Sequence, residues 1–158
     1  MRLVFDYQHH WCLNPLGLDA VDVVRRMLAT WPEGVRPKIH FSSPRTEMRE
    51  VSRRDKVTKR KKKAFLPPIW TGHADFTNPF EFARFMRDCA GLVFDVMLEG
   101  KSKDISLLKL RPDLLRYAPD VAARFGVYPA ETAALEAEEA TLETTHDPVG
   151  DADVDEGG

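Results

Sequence analysis

The sequence predicts an α/β fold of parallel βα units. Three observations lead there: short apolar runs too continuous for a sheet with one wet face, helix patterns between them, and a spacing that alternates the two. The run "GLVFDVMLEG" at 91–100 is apolar on both faces, as a strand covered by helices requires.

Taken in order, Leu3–Phe5 reads as the first buried strand. "LDAVDVVRRMLATW" follows as a helix, with Val21, Val24, Leu28 and Trp31 three or four apart and Asp19 in its first turn. Ile39–Phe41, behind Pro37 and Lys38, reads as the second strand and Ile69–Trp70 as a third. "NPFEFARFMRDCA" predicts a helix capped by Asn78 with Pro79 at its first position, its face formed by Phe82, Phe85, Met86 and Cys89. Gly91–Leu98 is the fourth strand. "SKDISLLKLRPDLLRY" predicts a helix capped by Ser102 and divided by Pro112.

The 158 residues suit one domain; the composition, 43% hydrophobic and 30% charged, suits a globular protein. No apolar run approaches the roughly 18–20 residues of a membrane span. Two cysteines, Cys12 and Cys89, make neither a disulfide framework nor a CxxC zinc site, so a reducing cytoplasm is the expected location. The net charge of −2 conceals two opposite segments. Residues 45–63 hold ten Lys/Arg against three acids, a local charge near +7, and residues 131–158 hold ten acids with no Lys or Arg. The acidic tail, from 129 on, is expected to be disordered beside an ordered domain over 1–128.

Each strand-like run ends in groups that bind metals or move protons. Asp6 and His9 follow the first, His40 lies in the second, His73 follows the third and Glu99 closes the fourth. In parallel α/β barrels catalytic groups gather at that carboxyl end. Imidazole with carboxylate suits Zn, Mn or Fe, and closely spaced metals can drive phosphodiester hydrolysis. Taken singly, each has a plainer reading: a hydrogen-bonded His, an Asp capping a turn. His10 would face away from His9 on an extended chain, so one of that pair suffices. Asp75 reads as a supporting acceptor for His73 or as a turn cap, and His146 as a solvated tail residue. The basic run reads as a solvated loop or as a phosphate grip made by Arg53, Arg54, Lys56, Lys59, Arg60, Lys61, Lys62 and Lys63. Phe65 and Trp70 flank it and either stack on bases or pack the loop down.

"VFDYQHHW", "WPEGVRPKIHFSSPR", "HADF" before "PFEFARFM", and "LVFDVMLEGKSKDISLLKLRPDLL" together resemble the ultraviolet-damage endonucleases of the UvdE/UvsE type, over roughly residues 2–117. The resemblance implies a TIM-like (β/α) barrel with a multi-metal site, manganese being the expected metal and Zn²⁺ or Mg²⁺ the alternatives. It implies cleavage of damaged double-stranded DNA 5′ to photoproducts, leaving a 3′-hydroxyl. It assigns Asp6, His9, His40, His73 and Glu99 as metal ligands and Lys38 as a catalytic residue beside the metals. It covers only the C-terminal half of such proteins, so four βα units, a half barrel with two unpaired edges, are expected. The missing N-terminal half or a homodimer would complete it, and a truncated or split enzyme is the expected state. The alternative from a different class is a catalytically inactive DNA-binding remnant that uses the basic loop. A sugar-isomerase-like barrel would carry similar ligands but leaves the +7 loop unexplained.

Overall fold

The computed structural model describes residues 1–56 and 58–129; the acidic tail beyond, His146 included, lies outside the described residues, as does Val57. The architecture is mixed α/β. Its elements are α1 (Tyr7–Cys12), α2 (Ala20–Leu28), β1 (Lys38–Phe41), β2 (Pro44–Arg45), β3 (Arg49–Arg54), β4 (Lys61–Leu66), β5 (Ile69–His73), α3 (Pro79–Asp88), β6 (Asp95–Leu98), α4 (Asp104–Tyr117) and α5 (Pro119–Arg124).

At the centre β1 and β6 run parallel, with Ile39 beside Val96 and Phe41 beside Leu98. The first apolar run joins β1 by a single parallel bridge, Asp6 to His40, and by the His40 N–H donating to the Phe5 carbonyl at 2.8 Å. Thr30 and Trp31, just past α2, hold the start of that run. The Leu3 N–H donates to Thr30 Oγ1 and the Trp31 indole N–H to the Leu3 carbonyl. Paired residues share a face, so Phe5, Ile39 and Phe41 turn to the helices, where they are buried with Val24, Phe82, Phe85, Met86, Leu110 and Leu114. Tyr7 stacks on Phe41 at 4.4 Å, and burial pushes its phenol up to about 12. The opposite face is open among the described residues at Val4 and Met97, 40% and 45% exposed, and is covered only near Ser42.

Among the described residues the parallel sheet is two-stranded, β1 with β6, and Leu3–Phe5 lies along it through one bridge rather than as a strand, so three parallel segments stand where four strands were expected. The third apolar run, β5, pairs antiparallel with β2. The basic stretch is not a loop but a hairpin, β3 on β4, registered from Arg49 opposite Leu66 to Arg54 opposite Lys61. All of 44–73 is thus an antiparallel excursion between β1 and α3, which leaves from the carboxyl end of the parallel sheet. An apolar run reads alike in parallel and antiparallel sheets, and a charge run hides its period; partner choice decided both.

Helix signals held more closely. Asp19 caps α2, accepting from the Val21 and Asp22 N–H groups, and Asn78 caps α3 with Pro79 at its first turn. α4 departs from expectation. It starts at Asp104 behind Lys103, Ser102 offers the Ile105 N–H its backbone carbonyl, and the helix runs unbroken through Pro112. The Leu108 carbonyl that Pro112 cannot serve belongs to a half-exposed residue, while Leu110 and Leu114 hold the helix to the core. Cys89 is buried and its thiol is pushed up to about 11 by burial; Cys12 is exposed.

Arg87 grips Asp120 with two bonds, 2.8 Å from Nε and 2.7 Å from Nη2, tying α3 to α5. The guanidinium holds the Asp120 carboxyl down at about 2. A carboxyl depressed on folding adds stability above its unfolded pKa and loses it as pH falls through the folded value. Asp120→Asn is therefore expected to lower the melting temperature slightly at pH 7, and the gap from the parent should close between about pH 4 and pH 2. Melts followed by circular dichroism across that window would check it; a gap that persists at pH 2 would contradict the pairing.

Candidate metal centre

Asp6, His40 and Glu99 meet toward the carboxyl end of the open sheet face, whereas Lys38 begins β1. Strand alternation puts Lys38 and His40 of β1 and Met97 of β6 on that face, and carries on to Ser42 and Glu99, one residue past each strand. Asp6 ends the first run and caps α1, its Oδ1 accepting the His9 N–H at 2.9 Å.

Asp6, His40 and Glu99 each offer a donor atom within 4.8 Å of the other two. His40 Nδ1 lies 2.8 Å from Glu99 Oε1 and 3.9 Å from Asp6 Oδ2. The same Asp6 oxygen is 2.8 Å from His9 Nδ1, so Asp6 stands between His9 and the His40–Glu99 pair. His73 lies one step further, its ring 6.1 Å from that of His9 and its Nδ1 2.7 Å from Ser42 Oγ. The side chains of His40 and Glu99 are 32% exposed. Two carboxylates with imidazole, partly open to solvent, fit a divalent ion such as Mn²⁺ or Zn²⁺.

Local structure carries these groups together. The Glu99 N–H donates to the Phe41 carbonyl, and the next turn is bonded to the loop after His73: Lys101 N–H to Ala74 O, Ser102 N–H to Asp75 O. Gly100 is needed there, because a Cβ would come within 2.6 Å of Ser106 Oγ and 3.0 Å of the Asp75 carbonyl. Lys38 is exposed on the His40 face, two residues earlier.

Two expectations change. Residues 7–12 are helical, so His10 is turned from the site by the helix; its ring packs on Phe5 at 5.3 Å and Asn14 Nδ2 lies 3.3 Å from its Nε2. The partner of His73 is not Asp75, which serves Ser102 through its backbone, but Ser42. Neither Ser42 nor its neighbour Gln8 stood out in the sequence. The only cue was polarity where burial was expected, in "DYQHHW" and "HFSS".

The basic residues lie on the hairpin, in the excursion that leaves the chain at this end of the sheet. Arg54, Lys61, Lys63 and Phe65 share one face, and all four are exposed; Arg53 and Lys62 sit on the other. Lys56, Lys59 and Arg60 form the exposed tip, closed by Asp55 N–H to Arg60 O at 2.8 Å. Lys62 and Lys63 pair with Asp55 and Glu50 at 3.6 and 2.9 Å, whereas Arg53, Arg54, Lys56, Lys59, Arg60 and Lys61 form no ion pair with another described residue. Phe65 and Trp70 are each 62% exposed, so neither packs the excursion down.

A family model described as UV-endonuclease UvdE matches residues 1–123. The UV DNA damage endonuclease of Bacillus velezensis is 33% identical over 113 residues, covering 70% of this chain and 29% of the relative. That of Bacillus pumilus is 35% identical over 112 residues, with the same coverage. The chain thus spans about three-tenths of the length of these relatives. No solved structure matches.

Proposed function

Because the chain belongs to the UV-endonuclease UvdE family, we propose that it forms the carboxyl-terminal portion of a DNA-repair endonuclease that hydrolyses the phosphodiester 5′ to photoproducts in double-stranded DNA. The observation that carries this is the Asp6–His40–Glu99 cluster at one end of a parallel sheet, with the cationic hairpin leaving from that same end. Asp6, His9, His40, His73 and Glu99 hold divalent metal, Mn²⁺ in the first instance, with Zn²⁺ or Mg²⁺ as alternatives. When bound, such ions polarise the phosphodiester and activate water at neutral pH. Lys38 adds positive charge on the same face for the phosphoryl oxygens. The hairpin residues Arg53, Arg54, Lys56, Lys59, Arg60, Lys61, Lys62 and Lys63 grip backbone phosphates and so set where the duplex lies, without reading its sequence.

The three parallel segments are an arc of a TIM-like barrel, and its inner side is the open face of Val4, His40 and Met97. Residues from the rest of a longer protein, or a second copy, would close it. No helix among the described residues is long and apolar enough to cross a membrane, and a cytoplasmic repair role agrees with the two unpaired cysteines.

The test is nicking of ultraviolet-irradiated supercoiled plasmid by the purified chain in Mn²⁺, beside unirradiated plasmid. Nicking confined to irradiated DNA is expected, either from the chain alone or once the rest of the barrel is supplied as a second polypeptide. The open sheet face favours one other reading, a DNA-binding remnant. Equal, salt-sensitive binding of both plasmids with no nicking under either condition would select it.

A further inference from the structure

We propose that Gln8 and Ser42 are positioning residues that fix the His73 imidazole in one tautomer, with its proton on Nδ1 and its lone pair on Nε2. The use of that lone pair rests on the metal reading above; the tautomer itself does not.

The chain of hydrogen bonds starts at the edge of β5. Backbone carbonyls two residues apart in a strand point to the same side, and those of Trp70 and Gly72 lie on the edge away from β2. Gln8 Nε2 reaches both, at 3.2 and 2.9 Å. A carbonyl only accepts, so the NH₂ end of the Gln8 amide must face β5 and Oε1 must face the other way. Ser42 Oγ lies 2.6 Å from that Oε1. An amide oxygen cannot donate, so the single hydroxyl proton of Ser42 is committed to Gln8. His73 Nδ1 then stands 2.7 Å from an Oγ with no proton left to give, and must itself be the donor. In a neutral imidazole the other nitrogen keeps the lone pair. Nε2 of His73 has no hydrogen-bond partner among the described residues.

Burial enforces each direction. Gln8 is 3% and Ser42 1% exposed, so a bond reversed or left unmade there would go uncompensated by water. Helix α1 makes this possible. Its N-cap, Asp6, is in the metal cluster, and two residues later the helix turns Gln8 under β5, so one short element supplies a candidate ligand and the orienting amide. His9 and His40 differ from His73: their Nδ1 atoms face carboxylates of the cluster. His73 alone ties its N–H to a buried neutral network, which is how a metal-ligating histidine is commonly oriented and kept basic.

The closing experiment uses the full chain, ¹⁵N-labelled and stripped of metal, at about pH 8, well above the ordinary imidazole pKa. Long-range ¹H–¹⁵N correlations report which ring nitrogen carries the proton, and His73→Gln assigns the signals by their loss. A protonated Nδ1 and a bare Nε2 on His73 are expected; a proton on Nε2 in the parent chain would overturn the proposal without recourse to any variant. Ser42→Ala should release the preference and give both tautomers, with circular dichroism unchanged; a His73 that stays purely Nδ1-protonated in that variant would remove Ser42 from the role. Mn²⁺ titration followed by electron paramagnetic resonance then separates the two readings. Weakening of one site by about 10–100-fold in Ser42→Ala supports the coupling of relay to metal. A tautomer that shifts while Mn²⁺ affinity does not would leave the relay standing and strike His73 from the ligands.

Discussion

Glu99→Gln is expected to weaken Mn²⁺ binding by about 100-fold, the upper end of what losing even a supporting residue costs a metal site, and to abolish nicking of irradiated plasmid. The substitution keeps shape and leaves an amide oxygen that can still accept from His40 Nδ1, now at 2.8 Å from the carboxylate. What it removes is one of two negative charges whose donor atoms lie within 4.8 Å of His40. A divalent ion depends on that charge, because it must give up hydration to enter. The fold does not: Glu99 is partly exposed and its N–H bond to Phe41 is backbone. Unchanged melting with lost Mn²⁺ binding, read by electron paramagnetic resonance, is therefore the expected pair of results. Asp95→Asn is the control. Asp95 lies on the same sheet face but outside the cluster, paired with Arg36 at 2.6 Å, and should leave Mn²⁺ affinity unaltered. Equal loss in both variants would mean that the face attracts cations diffusely and that the cluster is no site.

Neutralising Arg54, Lys59, Arg60 and Lys61 together to Gln is expected to have the next largest effect, on DNA binding. These four carry no ion pair with another described residue and lie on the Arg54–Lys61 face and the tip of the β3–β4 hairpin. Each phosphate contact releases about 0.9 of a counterion, so the slope of log affinity against log salt should fall by about 3.6. Affinity at low salt should drop by roughly 100-fold. Irradiated and intact duplexes should lose equally, since phosphate contacts carry no information about bases. The substitutions are on the surface and should move stability by less than about 0.5 kcal/mol. Arg26→Gln, an exposed position on α2, is the comparison that should change nothing. A slope unaltered by the fourfold variant would place the duplex elsewhere on the molecule.

The sequence by itself determined what depends on neighbours along the chain. The caps at Asp19 and Asn78, the apolar strand at 39–41, the fourth run (read over Gly91–Leu98, of which only Asp95–Leu98 is strand) and the helix faces of α2 and α3 each follow from residues within a few positions, because a cap bond or an apolar stripe closes over one or two turns. The recurrence of His and carboxylate at strand ends was legible in the same way, and the family motifs with it. Only the tertiary structure decided which of those runs pair. The third run reads as a strand from either side, yet its partner is Pro44–Arg45 and not β1, and the basic stretch folds as a hairpin despite its charge. It also decided how His73 is held. Gln8, Ser42 and His73 stand 34 and 31 residues apart in contact pairs, and the direction of each bond is set by the one before it, starting from two backbone carbonyls on a strand edge. No local pattern records such a chain of donors, because each link exists only when the fold has buried it from water.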